Sequence, residues 1–242
     1  MCQLLGISSN KPVDISFSLR EFQSRSCVNY HGFGFSFYQE GNREPCIIKK
    51  PDPLYKENIN QNKFKFKSKV IIGHVRRASC GDKVHENTHP FGQDRWSFAH
   101  NGTVTKIKNW KLNNFQPKGK TDSEYAFCYL LDKIYDLNDL EKISLVLESE
   151  ACKISLLGKF NFLLTDGEIL FAFGDDELYF TERKSPFQFV TLKDTEYSLH
   201  LADIKAPDEV AIIVATEPLT KEEKWNKING LKIFKDGEVV TV

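Results

Sequence analysis

The chain of 242 residues has no surplus of either charge: 33 Lys and Arg stand against 33 Asp and Glu. That balance leaves no basic field for nucleic acid and no acidic tail, so a small-molecule partner is the better expectation. Six cysteines, Cys2, Cys27, Cys46, Cys80, Cys128 and Cys152, form no C-x-x-C pair. Such scatter suits neither a zinc site nor a disulfide framework. The sequence also lacks a basic, apolar leader and any run of about 18 apolar residues, which predicts a cytoplasmic protein that neither enters a membrane nor is secreted. The "NGT" at Asn101 therefore carries no glycosylation meaning. With no linker, repeat or low-complexity stretch, residues 2–242 read as a single domain.

Short runs rich in Phe, Ile, Val and Tyr, broken by Gly, Asp and Pro, dominate what is present. "CQLLGIS", "GFGFSFYQ", "CIIKK", "KVIIGHVR", "WSFAHNG", "FNFLLTD", "ILFAFG", "LYFTE", "FQFVTL" and "EVAIIVAT" all read as strands, and "LKIFKDGEVVTV" as a hairpin around Asp-Gly. Helical period is confined to three places. One follows "TDSE", with Phe127, Leu130, Leu131 and Ile134 on one face; a second ends at Gly158; a weaker third holds Ile15, Leu19 and Phe22. The polar "YKENINQNKFKFKSK" reads as a solvated loop.

"HENTH" at His85 to His89 matches the pattern of zinc proteases, whose chemistry requires both imidazoles on one helix face. Pro90 pushes its predecessor out of the helical region, and Asn87 and Thr88 form helices poorly. The segment reads as a loop, with no metal.

Cys2 is the residue that invites chemistry. Removal of Met1 would leave its thiol on the same carbon as a free α-amino group. That amine has a reference pKa of roughly 7.7–8.0 against roughly 8.5 for the thiol, so one residue would carry both nucleophile and base. Alone, Cys2 reads equally as a small apolar residue of a buried strand. "GHVRRAS" sets two arginines on opposite sides of a strand end, one of them available for bidentate capture of a carboxylate, or both merely on the surface. "FAHNG" ends in Asn101 and Gly102, whose side-chain and backbone N–H groups could converge on one oxygen, or simply form a hairpin turn. In "TDSE", Thr121 caps a helix and Glu124 reaches back to complete a capping box, leaving Asp122 in the first turn where it could receive an ammonium.

Taken in order, "MC", "GHVRRAS", "NTHPF", "HNG" and "TDSE" resemble the glutaminase domain of class II glutamine amidotransferases, which are N-terminal-nucleophile hydrolases. The likeness is strongest to the stand-alone, YafJ-like members and runs along essentially the whole chain. It implies an α+β fold, a four-layer αββα sandwich with two mainly antiparallel sheets between helical layers. It also implies hydrolysis of the glutamine side-chain amide through a thioester on Cys2, with Asn101 and Gly102 stabilising the oxyanion. Arg76 would hold the substrate α-carboxylate, Asp122 its α-amino group, and Ser79 would offer a hydroxyl. No metal or organic cofactor is implied. The partners would be glutamine or a γ-glutamyl compound, together with a synthase that accepts ammonia, for which this chain has no room. Many members carry an aromatic residue and then Ala-Thr-His after the arginine; here Arg77, Ala78, Ser79 and Cys80 stand instead, so the pocket differs in detail. A γ-glutamyl amide or peptide hydrolase, and a catalytically silent regulatory or binding module, are the two rival readings.

Overall fold

The computed structural model describes residues 2–78 and 82–241. In chain order the main elements are β1 (Gln3–Val13), α1 (Ser16–Arg25), β2 (Phe33–Phe37), β3 (Cys46–Lys50), β4 (Ser68–Val75), β5 (Phe91–Gln93), β6 (Trp96–Gly102), α2 (Asp122–Ile134), α3 (Leu140–Ser155), β7 (Phe160–Thr165), β8 (Ile169–Gly174), β9 (Tyr179–Arg183), β10 (Phe189–Thr191), β11 (Ser198–His200), β12 (Ala211–Ala215), β13 (Asn226–Lys227), β14 (Gly230–Lys235) and β15 (Glu238–Val240). Seven strands form one antiparallel sheet in the order β13-β9-β12-β1-β4-β2-β3, and six form a second in the order β15-β14-β8-β7-β6-β5.

Strand periodicity explains why the two sheets face each other with helices outside. Along β1, Leu5 and Ile7 join a cluster with Leu19 and Phe22 of α1, while Leu4 joins Leu163, Leu170 and Val214 in a cluster between the sheets. β4 divides the same way, with Ile71 and Val75 toward α1 and Val70 and Ile72 inward. On β6, Phe98 packs with Phe127 and Leu130 of α2 and Leu147 of α3, whereas Ala99 points back between the sheets. Strands buried on both faces need apolar residues on both parities, which is why these segments read as nearly continuous hydrophobic runs. The four layers and the antiparallel sheets are those implied by the sequence.

The segment expected to be a solvated loop is a correction. Two short 3₁₀ turns, Leu54–Lys56 and Asn62–Phe64, carry Phe64 and Phe66 into the α1-side core, where Phe66 stacks on Phe37 with ring centroids 4.0 Å apart. Alternation of Lys and Phe lets the rings enter while the ammonium groups stay outside. Among the described residues, no helix is long and apolar enough to cross a membrane.

Leu163 is fully buried between the sheets, and Leu145 is an exposed residue of α3. Leu163→Ala should cost about 2–5 kcal/mol of unfolding free energy in urea titrations, and Leu145→Ala less than about 0.5 kcal/mol.

Candidate active site

The pairing of β1 with β4 sets Gln3 opposite Val75 and Leu4 opposite His74, so Cys2 stands opposite Arg76 as the strands run out. Leu4 points between the sheets, and the period of two sends Cys2, His74 and Arg76 the same way. In the second sheet Ala99 points inward, and so does Asn101, which pairs with Asn161 of β7. Three of the residues singled out from sequence thus converge on the mouth of the gap between the sheets, each supplied by the end of a strand.

Around Cys2 the backbone is closely fitted. Its Sγ accepts a hydrogen bond from the Arg77 N–H at 3.1 Å and lies 3.4 Å from the Arg77 carbonyl oxygen. The residue keeps part of its surface in solvent, yet burial around the sulfur pushes the thiol pKa up, with the Arg77 N–H and the nearby Arg76 charge opposing it. Arg76 is buried and Arg77 exposed, the two-sided arrangement that strand period predicts. The Arg76 backbone is clamped at both ends: His31 N–H donates to its carbonyl at 2.9 Å, and its own N–H donates to Gly32 at 2.7 Å. Its Nη1 donates to the Asp82 carbonyl at 3.0 Å.

Asn101 is 1% exposed, and its side-chain amide nitrogen has no hydrogen-bond partner. Its neighbour Gly102 passes so close to β7 that a Cβ there would lie 1.8 Å from the Lys159 carbonyl oxygen. Asp122 opens α2. Its Oδ2 accepts the Val104 N–H at 2.7 Å and its Oδ1 the Ser123 N–H at 3.0 Å, tying the helix to the turn after Gly102. The expected capping box is only half made. Thr121 Oγ1 accepts the Glu124 N–H at 3.1 Å, but the Glu124 carboxylate turns to the N–H groups of Lys118 and Gly119 at 3.1 and 2.6 Å, because that loop folds back over the helix start. Ser79 and Cys80 lie outside the described residues.

"HENTH" folds as turns, as expected, with His85 exposed and His89 buried. Sequence reading passed over what surrounds it. The His74 and His89 rings stack at 4.2 Å, and neither has a fully formed hydrogen bond, although His74 lies against the His100 backbone. His100, on the helix-facing parity of β6, pairs its Nδ1 with Ser123 Oγ at 2.8 Å and its Nε2 with the Lys159 carbonyl at 3.2 Å. Burial holds all three imidazoles neutral, with pKa values lowered to about 3 for His74, to about 4 for His100, and well below the usual range for His89. Asn29 Oδ1 is a further buried atom without a partner. A lone Asn or His in a sequence gives no sign of burial, and the only available signal was that His74 shares the inward parity of Val70 and Ile72.

The profile of the class-II glutamine amidotransferases matches residues 1–242. The chain belongs to this family. YafJ of Escherichia coli K12 is 35% identical to it over 94% of each chain. A crystal structure of a predicted glutamine amidotransferase from Pseudomonas aeruginosa superposes over the full length of both chains with a TM-score of 0.72 at 27% identity. The glutamine phosphoribosylpyrophosphate amidotransferase of Bacillus subtilis shares the fold across 99% of this chain and 48% of its own, with a TM-score of 0.58 and 18% identity.

The buried histidines give the chain a pH signature. Their pKa values are depressed in the folded state, so the unfolded chain binds more protons below its reference value of about 6.5, and stability falls as pH drops from there toward about 4. Each histidine contributes a slope of up to about 1.4 kcal/mol per pH unit. Urea titrations between pH 7 and 4.5 should show the fall, and His89→Gln should reduce the slope by one proton's share; a flat profile would refute neutral burial.

Proposed function

We propose that residues 2–242 form one glutamine amidotransferase domain that hydrolyses the side-chain amide of glutamine, with Cys2 as nucleophile once Met1 has been removed. The observation that carries this reading is the unpartnered Asn101 amide, buried and on the same inward parity as Cys2. A buried N–H donor left without an acceptor costs about 1–3 kcal/mol, and an oxygen that becomes anionic only during reaction is the partner that would repay it.

The chemistry follows from the groups at hand. Burial disfavours the Cys2 thiolate, so the thiol needs a base, and the α-amino group of the processed residue is within the same side chain's reach. The sulfur attacks the amide carbon while the amine takes its proton. The carbonyl oxygen, now an oxyanion, is held by Asn101 Nδ2 and the Gly102 N–H. Collapse of that intermediate breaks the C–N bond, the proton passes to the leaving nitrogen, and ammonia departs. Water then attacks the glutamyl thioester through a second oxyanion, releasing glutamate and the thiol. Arg76 receives the substrate α-carboxylate. Asp122 already accepts two backbone N–H groups and retains lone pairs for the α-ammonium. Ser79 is assigned a hydroxyl contact by its place in the motif. The ammonia is assigned to a separate synthase, which keeps turnover on glutamine alone slow.

Intact-mass measurement after exposure to diazo-oxo-norleucine should show one adduct, mapped to Cys2 in protein lacking Met1 and absent from Cys2→Ala. Full ammonia release by Cys2→Ala would remove the mechanism. Asn101→Ala should lower kcat by about 10²–10³-fold with little change in KM. Arg76→Lys, which keeps charge but loses the fork, should lower kcat/KM by about 1.5–3 kcal/mol, and Arg77→Lys far less; the reverse ranking would exchange their roles.

A further inference from the structure

A recess of about 640 Å³ lies away from Cys2. It borders Pro12, near the far end of β1, and Trp96, at the start of β6. At about 3.3 Å per residue, that is about 30 Å along β1 from Cys2. None of the proposed chemistry uses it, and its size falls within the roughly 300–1,000 Å³ of small-molecule sites.

Its construction is rigid and two-faced. The apolar wall consists of Tyr38, Trp96 and Phe171, all buried, with Leu140, Ile143 and Ile169. Tyr38 is fixed by its hydroxyl, which donates to the carbonyls of Arg95 at 2.8 Å and Thr165 at 3.2 Å. It fits beneath the β7–β8 turn because residue 167 is glycine: φ there is +94°, and a Cβ would lie 2.6 Å from the Tyr38 ring.

The rim is cationic once existing pairs are discounted. Lys69 is engaged by Asp236 at 3.0 Å, and Glu168 faces Lys235 at 4.0 Å. Asp166 is occupied by the N–H groups of Glu168 and Ile169 at 3.1 and 3.0 Å. Arg43, Lys67 and Arg95 form no ion pair among the described residues, and Glu40 and Asp166 are the rim carboxylates without one, so a small excess of positive charge remains. The Arg95 guanidinium carbon sits 5.3 Å above the centre of the Trp96 ring, so aromatic surface and positive charge are presented together.

We propose that this recess binds a small molecule with a flat aromatic body and an anionic group, the body against Tyr38, Trp96 and Phe171 and the anion toward Arg43, Lys67 and Arg95. It is a second site, separate from the proposed glutaminase chemistry and independent of it.

Anilinonaphthalene sulfonate has this chemistry and can serve as the probe on the full-length protein. Titration should give saturable, one-to-one binding with energy transfer from tryptophan. Trp96→Phe should remove most of that transfer while affinity stays within about threefold. The double variant Arg43→Glu, Lys67→Glu, which changes only exposed side chains, should weaken binding tenfold or more, and Ile169→Trp, which narrows the recess at its apolar wall, should also weaken it. Lys232→Glu, in the smaller groove between α3 and β14, is the control and should leave affinity unchanged. The proposal is overturned if the probe does not bind, if the double variant binds as the wild type does, or if Lys232→Glu weakens binding as much.

Discussion

β1 is hydrogen-bonded along both edges, to β4 and β12, and buried on both faces, so the residue just before it has little freedom of its own. A slip of one residue in its register would exchange Leu4 and Ile7 between two different cores, and burial of both makes such a slip prohibitive. The start of the strand is fastened again through Gln3, whose side chain donates to Glu217 at 2.9 Å and accepts from Arg25 at 3.3 Å. Arg25 is itself buried and bound to the carbonyls of Glu217 and Pro218. The direction of the Cys2 thiol is therefore inherited from packing along the whole strand and from a polar clamp around its second link.

Away from the mouth between the sheets, buried polar groups are well satisfied. Arg183 and Glu223 form a bidentate pair with both contacts at 2.8 Å, and Thr220 adds a hydroxyl to the same carboxylate. Glu21 receives Arg25 and the Asp194 N–H. Among the described residues, the buried side-chain atoms without partners belong to Asn29, His74, His89 and Asn101, and all but Asn29 lie on segments that border the mouth. The unpartnered atoms are thus concentrated on segments near the gap, while the buried ion pairs elsewhere are fully bonded.

The strands and helices were legible because their hydrophobic periods are long and regular. The DG hairpin was legible because Asp236 and Gly237 adopt positive φ, at 49° and 81°, as that turn requires. Short pieces such as β11 and β13 were not, since two or three residues carry no period. Phe64 and Phe66 were misread because their lysine neighbours gave the segment a polar average, although the alternation itself was visible. At the candidate site, sequence order and motif content singled out Cys2, Arg76, Ser79, Asn101, Gly102 and Asp122, of which strand parity turns Cys2, Arg76 and Asn101 toward the gap, whereas burial of His74, the His74–His89 stack and the turn of Glu124 toward Lys118 and Gly119 depend on how separate segments meet in space. The distant recess was illegible for the same reason: its walls come from six segments scattered along the chain.

The contact between Gly102 and the Lys159 carbonyl limits how this chain can change over generations. A Cβ position is set by the backbone, so no choice of rotamer relieves a 1.8 Å approach. Every single-base change in a glycine codon that alters the residue adds a Cβ. To admit one, β6 and β7 would have to move apart where Asn101 faces Asn161, and the Asn161 side chain also organises the turn at Asp175 to Glu177. Any residue other than glycine at 102 would therefore require the paired ends of β6 and β7 to shift together.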